Sequence, residues 1–251
     1  MTENKIVNLD VIYCPSGKAL EYASRAVNVY KGCTHECNYC FGPGCTFKTK
    51  EGYFAGANPK KNIINRVKKD IEKLSRLNDV PEILLSFIDD PYQHEEMELG
   101  LTREIIKMLI AHNLPFTILT KGGSRAVRDF DLMSSYPKSR FGTSLVFTEQ
   151  ASVDIWEPRA ASVEERINTI AQAHEMEIKT WVSMEPVIVP KQAIDLVNRI
   201  HSIVDHWKVG KINHNKAVEK SVDWLKFRRE VTSALTGVNA DFYLKKSLTE
   251  L

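Results

Sequence analysis

From residue 59 onward the chain alternates between two apolar patterns. Residues 59–78 carry Ile63, Ile64, Val67, Ile71, Leu74 and Leu77 at helical spacing, with lysines and glutamates between them. Residues 82–87, Glu-Ile-Leu-Leu-Ser-Phe, are then apolar over strand length without alternating, as in a strand buried on both faces. The same reading predicts helices over 101–113, 124–134, 162–175, 191–203 and 218–235. It predicts strands over 116–120, 140–147, 178–184 and 206–212, and a first strand over 24–31. Ser124 is the expected N-cap of one helix, and Ser162 with Glu165 makes a capping box for another.

Six strands separated by helices imply parallel βαβ units, and six rather than eight imply a partial (β/α)6 TIM-like barrel, an α/β fold. With no low-complexity tract or linker, the expected organisation is one domain over 1–251. Its core covers about 24–215, and a C-terminal helix and tail follow over 216–251. Residues 1–23 and 237–251 are expected to pack across the ends. In such a sheet the chemistry gathers at the carboxyl ends of the strands.

Composition narrows the classes. A 251-residue chain that is 43% apolar builds a substantial core, and its net charge of +2 neither demands nor forbids an anionic partner. No run approaches the length of a membrane span, and Met1-Thr-Glu-Asn-Lys leads into no apolar segment, so a cytoplasmic protein is expected. Phosphate-loop, His-Glu-x2-His and Gly-x-Ser-x-Gly patterns are absent.

The cysteines carry the strongest signal. Of five, Cys33, Cys37, Cys40 and Cys45 fall within thirteen residues and Cys14 stands apart. Three have the spacing Cys-x3-Cys-x2-Cys. Tetrahedral zinc prefers four ligands from paired knuckles, and no second pair follows. Three thiolates would instead hold three irons of a [4Fe-4S] cluster and leave the fourth open, which signals catalysis. Cys45 as a fourth ligand, closing the site into a non-catalytic metal- or Fe–S-binding module, is the alternative. The count leaves no cysteines for a second cluster.

With Tyr39 before the third cysteine, this loop resembles that of the radical S-adenosylmethionine superfamily. Val29-Tyr-Lys-Gly-Cys33, Ser86-Phe-Ile-Asp-Asp-Pro-Tyr-Gln93, Leu119-Thr-Lys121, Glu157-Pro158 with Arg166, and Trp181-Val-Ser-Met-Glu-Pro-Val187 are similar to the branch that includes spore photoproduct lyase. The resemblance implies a [4Fe-4S] cluster on Cys33, Cys37 and Cys40. Its open iron binds S-adenosylmethionine, which is cleaved to methionine and a hydrogen-abstracting 5′-deoxyadenosyl radical. It further implies S-adenosylmethionine contacts from Tyr39, Asp89 or Asp90, Lys121 and Ser144. Lys121 suits a carboxylate and an aspartate suits ribose hydroxyls or an amino group. Glu185 after the fifth strand is a further candidate, and Asn213 with His214 after the sixth a weaker one.

The lyase's cysteine near the second strand and its tyrosine after the third cluster cysteine are both missing; Phe41 stands at the latter position. Repair of the spore thymine dimer is therefore not expected. Cys14 and Cys45 are hydrogen donors only if they fold into the barrel mouth, and small buried apolar residues otherwise. The expected partners are a flavodoxin- or ferredoxin-like one-electron reductant and a substrate. Nucleic acid is the substrate class the branch suggests, with support from Lys68-Lys69, Arg228-Arg229 and Lys245-Lys246; a peptide or small metabolite is the rival.

Overall fold

The computed structural model describes residues 8–213 and 215–251. Among the described residues there are ten strands: β1 Ile12–Tyr13, β2 Arg25–Val27, β3 Tyr30–Lys31, β4 Asn58–Pro59, β5 Ile83–Leu85, β6 Phe116–Thr120, β7 Ser139–Ser144, β8 Lys179–Val187, β9 His206–Lys211 and β10 Phe242–Leu244. Eight form one sheet in the order β1-β2-β5-β6-β7-β8-β9-β10. From β2 to β10 every pairing is parallel, and only the edge strand β1 runs antiparallel, against β2.

All six expected strands are here, with an extra strand at each edge. The first is shorter than expected. After Val27 the chain leaves the sheet, and β3 pairs instead with β4 in a two-stranded ribbon. At the other edge Phe242–Leu244, expected only to pack across an end, extends the sheet beside β9.

Helices cover the outer face and bury the stripes that predicted them. Ile63–Leu74 buries Ile63, Val67, Ile71 and Leu74, and Leu101–Ala111 buries Ile105, Ile106 and Leu109, in one core with β2, β5 and β6. Val163–Glu175, Pro190–Ile200 and Trp224–Gly237 share a second core with β8 and β9. The Ser162 hydroxyl does accept from the Glu165 backbone N–H. The Glu165 carboxylate, however, turns to Ser124, accepting from its N–H and hydroxyl at 3.0 and 2.7 Å.

Ser124 therefore starts no α-helix. Residues Gly123–Asp129 form a 3-10 helix, followed by one α-turn, Phe130–Met133. Gly123 is left-handed at φ 59°, and a Cβ there would strike Ala161 and Glu165, so the chain bends where the pattern continues.

The inner face holds a small third core of Ala26, Leu84 and Trp181, with Tyr13, Tyr22, Phe87 and Leu119 against it. The Trp181 indole donates to the Thr117 hydroxyl (2.9 Å) and the Ile118 carbonyl (3.1 Å) and fills the space opposite Gly142, where a Cβ would collide with the ring. The sheet does not close by strand pairing. Residues 17–22, between β1 and β2, bridge its two edges. The Glu21 carboxylate accepts from Tyr243 Oη at 3.0 Å and from the Lys246 N–H at 2.7 Å, and Lys208 Nζ donates to the carbonyls of Glu21 and Tyr22.

Candidate active site

The cysteine loop follows β3 at the carboxyl end of the sheet. Gly32, at φ 112°, brings it so close to residues 53–56 that a Cβ would run into the carbonyls of Tyr53 and Gly56. Beyond it the loop is pinned by buried groups from neighbouring strands. The Thr34 N–H donates to Gln93 Oε1 at 2.7 Å, and Gln93 Nε2 donates back to the Gly32 carbonyl at 3.3 Å. The Asn38 N–H donates to the Trp156 carbonyl (2.8 Å), and the Cys33 N–H to that of Tyr53 (3.2 Å).

His35, inside the loop, ties it to the turn after β5. Its Nε2 lies 3.2 Å from the Arg125 guanidinium, and its Nδ1 faces Asp90 Oδ2 at 3.4 Å. Asp90 is a hub. It also accepts from the Tyr92 N–H, the Thr120 hydroxyl and the Lys121 N–H. Burial works against its charge, yet His35 and these donors hold it well below the usual carboxylate range. Asp89 differs. One of its oxygens accepts from the Tyr30 N–H at 2.6 Å, the other is buried without a partner, and burial pushes its carboxyl up to about 6.

On the far side of the loop, Tyr39 donates its hydroxyl to Glu157, and Glu157 pairs with Arg166, both side chains fully enclosed. Arg166 also donates to the Ser144 carbonyl at 2.9 Å. Burial opposes the Glu157 carboxylate, but Arg166 and Lys121 keep its pKa below the ordinary value. Lys121, the first residue after β6, holds its ammonium 5.6 Å above the Tyr39 ring. Ser144 is the last residue of β7 and is buried. The structure thus gathers Tyr39, Asp89, Asp90, Lys121 and Ser144 around the cysteine loop.

Glu185, on β8, is drawn elsewhere. It accepts from Tyr22 Oη and from Lys245 Nζ (2.7 Å), and Tyr22 also bonds Ser183 Oγ at 2.8 Å. Lys208, its ammonium enclosed by the strap carbonyls and the rings of Tyr22 and Trp181, has its pKa lowered to about 8, chiefly by burial. The pair Lys245-Lys246, expected on an exposed face, is split: Lys245 is buried against Glu185, and Lys246 begins the last helical turn. Asn213 accepts from Lys18, and His214 lies outside the described residues.

The donor set suits an iron–sulfur group. Cys33 and Cys37 are buried and Cys40 partly so. Burial raises all three thiols, Cys37 to about 12, and the positive charge of a bound metal would offset that cost and favour the thiolates. Among the described residues no three His, Cys, Asp or Glu side chains converge as a single ion requires. Cys45 is exposed at the end of the one-turn helix Gly42–Cys45, not buried as a small apolar residue. Cys14 sits beside Arg25 at the amino end of β2, away from the loop, so it does not reach the mouth.

Sequence reasoning missed His35, Gln93, Tyr22, Lys208 and Lys245 as parts of this architecture. Two carried a signal: His35, by its position between two cluster cysteines, and Gln93, as the end of the segment Ser86–Gln93.

Comparison with known proteins places these features. Uncharacterized proteins of Mycobacterium tuberculosis (Rv2578c) and Mycobacterium bovis (Mb2609c) are 31% identical over 118 residues, 43% of this chain but only 32% of theirs. Streptococcus suis SuiB bound to S-adenosylmethionine superposes with a TM-score of 0.67 at 14% identity, covering 90% of this chain and 52% of SuiB. Spore photoproduct lyase complexed with dinucleoside spore photoproduct gives 0.68 at 13%, covering 96% and 79%. These structural likenesses establish the fold. The profile of the Radical SAM superfamily matches residues 27–201, most of the chain and the whole stretch from the cysteine loop through Glu185, and the chain belongs to that superfamily.

Proposed function

We propose that the chain is an enzyme that binds one [4Fe-4S] cluster through Cys33, Cys37 and Cys40 and uses it to cleave S-adenosylmethionine. The observation that carries this reading is the juxtaposition of three enclosed thiols on one loop with the Lys121 ammonium and the buried Ser144. A cluster held by Cys33, Cys37 and Cys40 would supply one-electron reduction of the bound sulfonium, and with it hydrogen-abstracting radical chemistry.

The chain's own residues bind and shelter. Lys121 offers a carboxylate of the cofactor a partner already fixed by Tyr39 and Glu157. Ser144 offers a hydroxyl from the sheet rim. Asp89, with one oxygen uncommitted, suits ribose hydroxyls or an amino group. Asp90 has both oxygens engaged by protein donors, so its part is to hold the loop against β6. Glu185 likewise holds Tyr22 and Lys245. Phe41 and Phe87 pack against each other beside the loop, their rings 5.6 Å apart.

A one-electron reductant of the flavodoxin or ferredoxin kind would serve the cluster. Nucleic acid is the substrate class we favour, since a fold neighbour carries a dinucleoside. Another neighbour, SuiB bound to precursor peptide SuiA, makes peptide the rival. A steep fall of oligonucleotide binding with salt supports nucleic acid.

The central test is anaerobic reconstitution with iron and sulfide, then EPR of the reduced protein with and without S-adenosylmethionine and an assay for 5′-deoxyadenosine. A signal shifted by S-adenosylmethionine, with nucleoside formed and lost in a folded Cys37→Ala variant, supports the reading. An unshifted signal, or nucleoside retained in that variant, rejects it.

A further inference from the structure

The net charge of the chain is only +2, yet between Lys31 and Lys61 five lysines (Lys31, Lys48, Lys50, Lys60 and Lys61) stand against two glutamates (Glu36 and Glu51). This stretch holds the cysteine loop, and its parts are joined: β3 pairs with β4, and the Cys33 N–H bonds the Tyr53 carbonyl. All but Lys60 of the five lysines are exposed. Between them the surface carries two bulky apolar side chains, Phe41 at 44% exposure and Phe47 at 99%.

Phe47 has a left-handed backbone, φ 54°, which a bulky residue rarely adopts. The turn that sets it is well defined: the Thr46 N–H bonds the Gly42 carbonyl at 3.0 Å, and the Lys48 N–H that of Pro43 at 3.0 Å. A locally over-determined turn thus holds an aromatic ring out in water, among lysines, which marks a contact surface. The least enclosed of the three cluster cysteines adjoins it. That cysteine, Cys40, directly precedes Phe41 in the chain.

We infer that Phe41, Phe47, Lys48 and the flanking lysines form the docking surface for the electron donor: an acidic protein of the flavodoxin kind, with its flavin edge near the surface. The inference rests on the proposed cluster. Charge complementarity chooses the partner's sign, and the exposed aromatics supply the apolar centre such a contact needs. In the transfer the reduced flavin gives up one electron and the cluster takes it; no bond between the proteins forms or breaks. A single-stranded nucleic acid would also suit lysines and exposed rings. The donor is favoured because this surface adjoins the cysteine loop from the solvent side, whereas Lys121 and Ser144, the proposed cofactor contacts, meet the loop from the strand ends.

The test compares the reconstituted wild type with Lys48→Glu/Lys61→Glu and Phe47→Ala, none of which touches the cluster ligands or the proposed cofactor contacts. Anaerobic stopped-flow follows reduction by flavodoxin hydroquinone and, separately, by dithionite. Flavodoxin binding is measured by titration calorimetry. The expected result is a loss of about tenfold in flavodoxin-driven rate and affinity for the double charge reversal, with wild-type rates falling steeply with salt. Phe47→Ala should lose about threefold, and dithionite reduction should be unchanged in both. Flavodoxin binding and reduction at wild-type levels in both variants would overturn the inference. So would an unchanged flavodoxin reaction accompanied by lost binding of a single-stranded oligonucleotide, which assigns the surface to nucleic acid. A wild type whose dithionite-reduced EPR signal ignores S-adenosylmethionine would count against the proposed function instead, while calorimetry still decides whether flavodoxin docks here.

Discussion

The cysteine loop and the 17–22 strap both cross the rim of the same sheet, but different forces hold them. The loop is fixed by enclosed groups: Gln93, the His35–Asp90 contact and the Tyr39–Glu157–Arg166 chain. In a low-dielectric setting each of these is strong when satisfied and costly when broken. The strap buries none of residues Gly17–Glu21, and apart from the Tyr22 ring and the Lys208 bonds to its last two carbonyls it is held by hydrogen bonds near solvent. Elements of that kind open at low free-energy cost. The fold is stiff where three ligands must keep their spacing and loose where its open side is merely covered.

That contrast breaks first at Arg166. Arg166→Met leaves Glu157 buried and unpaired, and should cost about 3–5 kcal/mol by chemical denaturation, with iron content after reconstitution falling alongside. Gly32→Ala forces a Cβ into two carbonyls at a left-handed position. It should cost about 3 kcal/mol and lower iron incorporation without altering the far-UV CD.

Next comes pH. Asp89 is an acid whose folded pKa, about 6, lies above its unfolded value, so the folded state holds the proton more tightly. Stability should therefore rise as pH falls through about 6, by about 2 kcal/mol, with the gain complete near pH 4. Asp90 opposes this at lower pH, because its depressed pKa contributes stability that is lost as its carboxylate protonates. Denaturation midpoints of wild type and Asp89→Asn between pH 4.5 and 7.5 check it, and the variant should lose the slope.

The smallest global effect belongs to the strap. Glu21→Gln should change stability by less than about 1 kcal/mol while amide exchange over 17–22 speeds several-fold and that of β2 and β5 stays fixed. Equal acceleration in the cysteine loop would erase the distinction between the two regions.

The six strands and the apolar faces of the long helices were legible because burial on a parallel sheet imposes them residue by residue. The cysteine triplet was legible because its ligands are local. What escaped depends on contacts far apart in sequence. Phe242–Leu244 is a strand because the edge of β9 is open to it, and Tyr22 turns inward because Ser183 and Glu185 await it from 161 and 163 residues away. Ser124 has the chemistry of an N-cap, but Gly123 bends the chain before it can act as one. Asp89 and Asp90 look alike in sequence, and only their partners separate an anchored carboxylate from one with an oxygen to spare.

The Trp181 indole, bonded to Thr117 and Ile118 and lodged opposite Gly142, gives the barrel a floor. With Tyr22 and Phe87 packed beside it, rings fill the middle of the inner face. The sheet is thus stoppered at its centre by side chains rather than by chain, and a larger residue at position 142 would be felt first by that stopper.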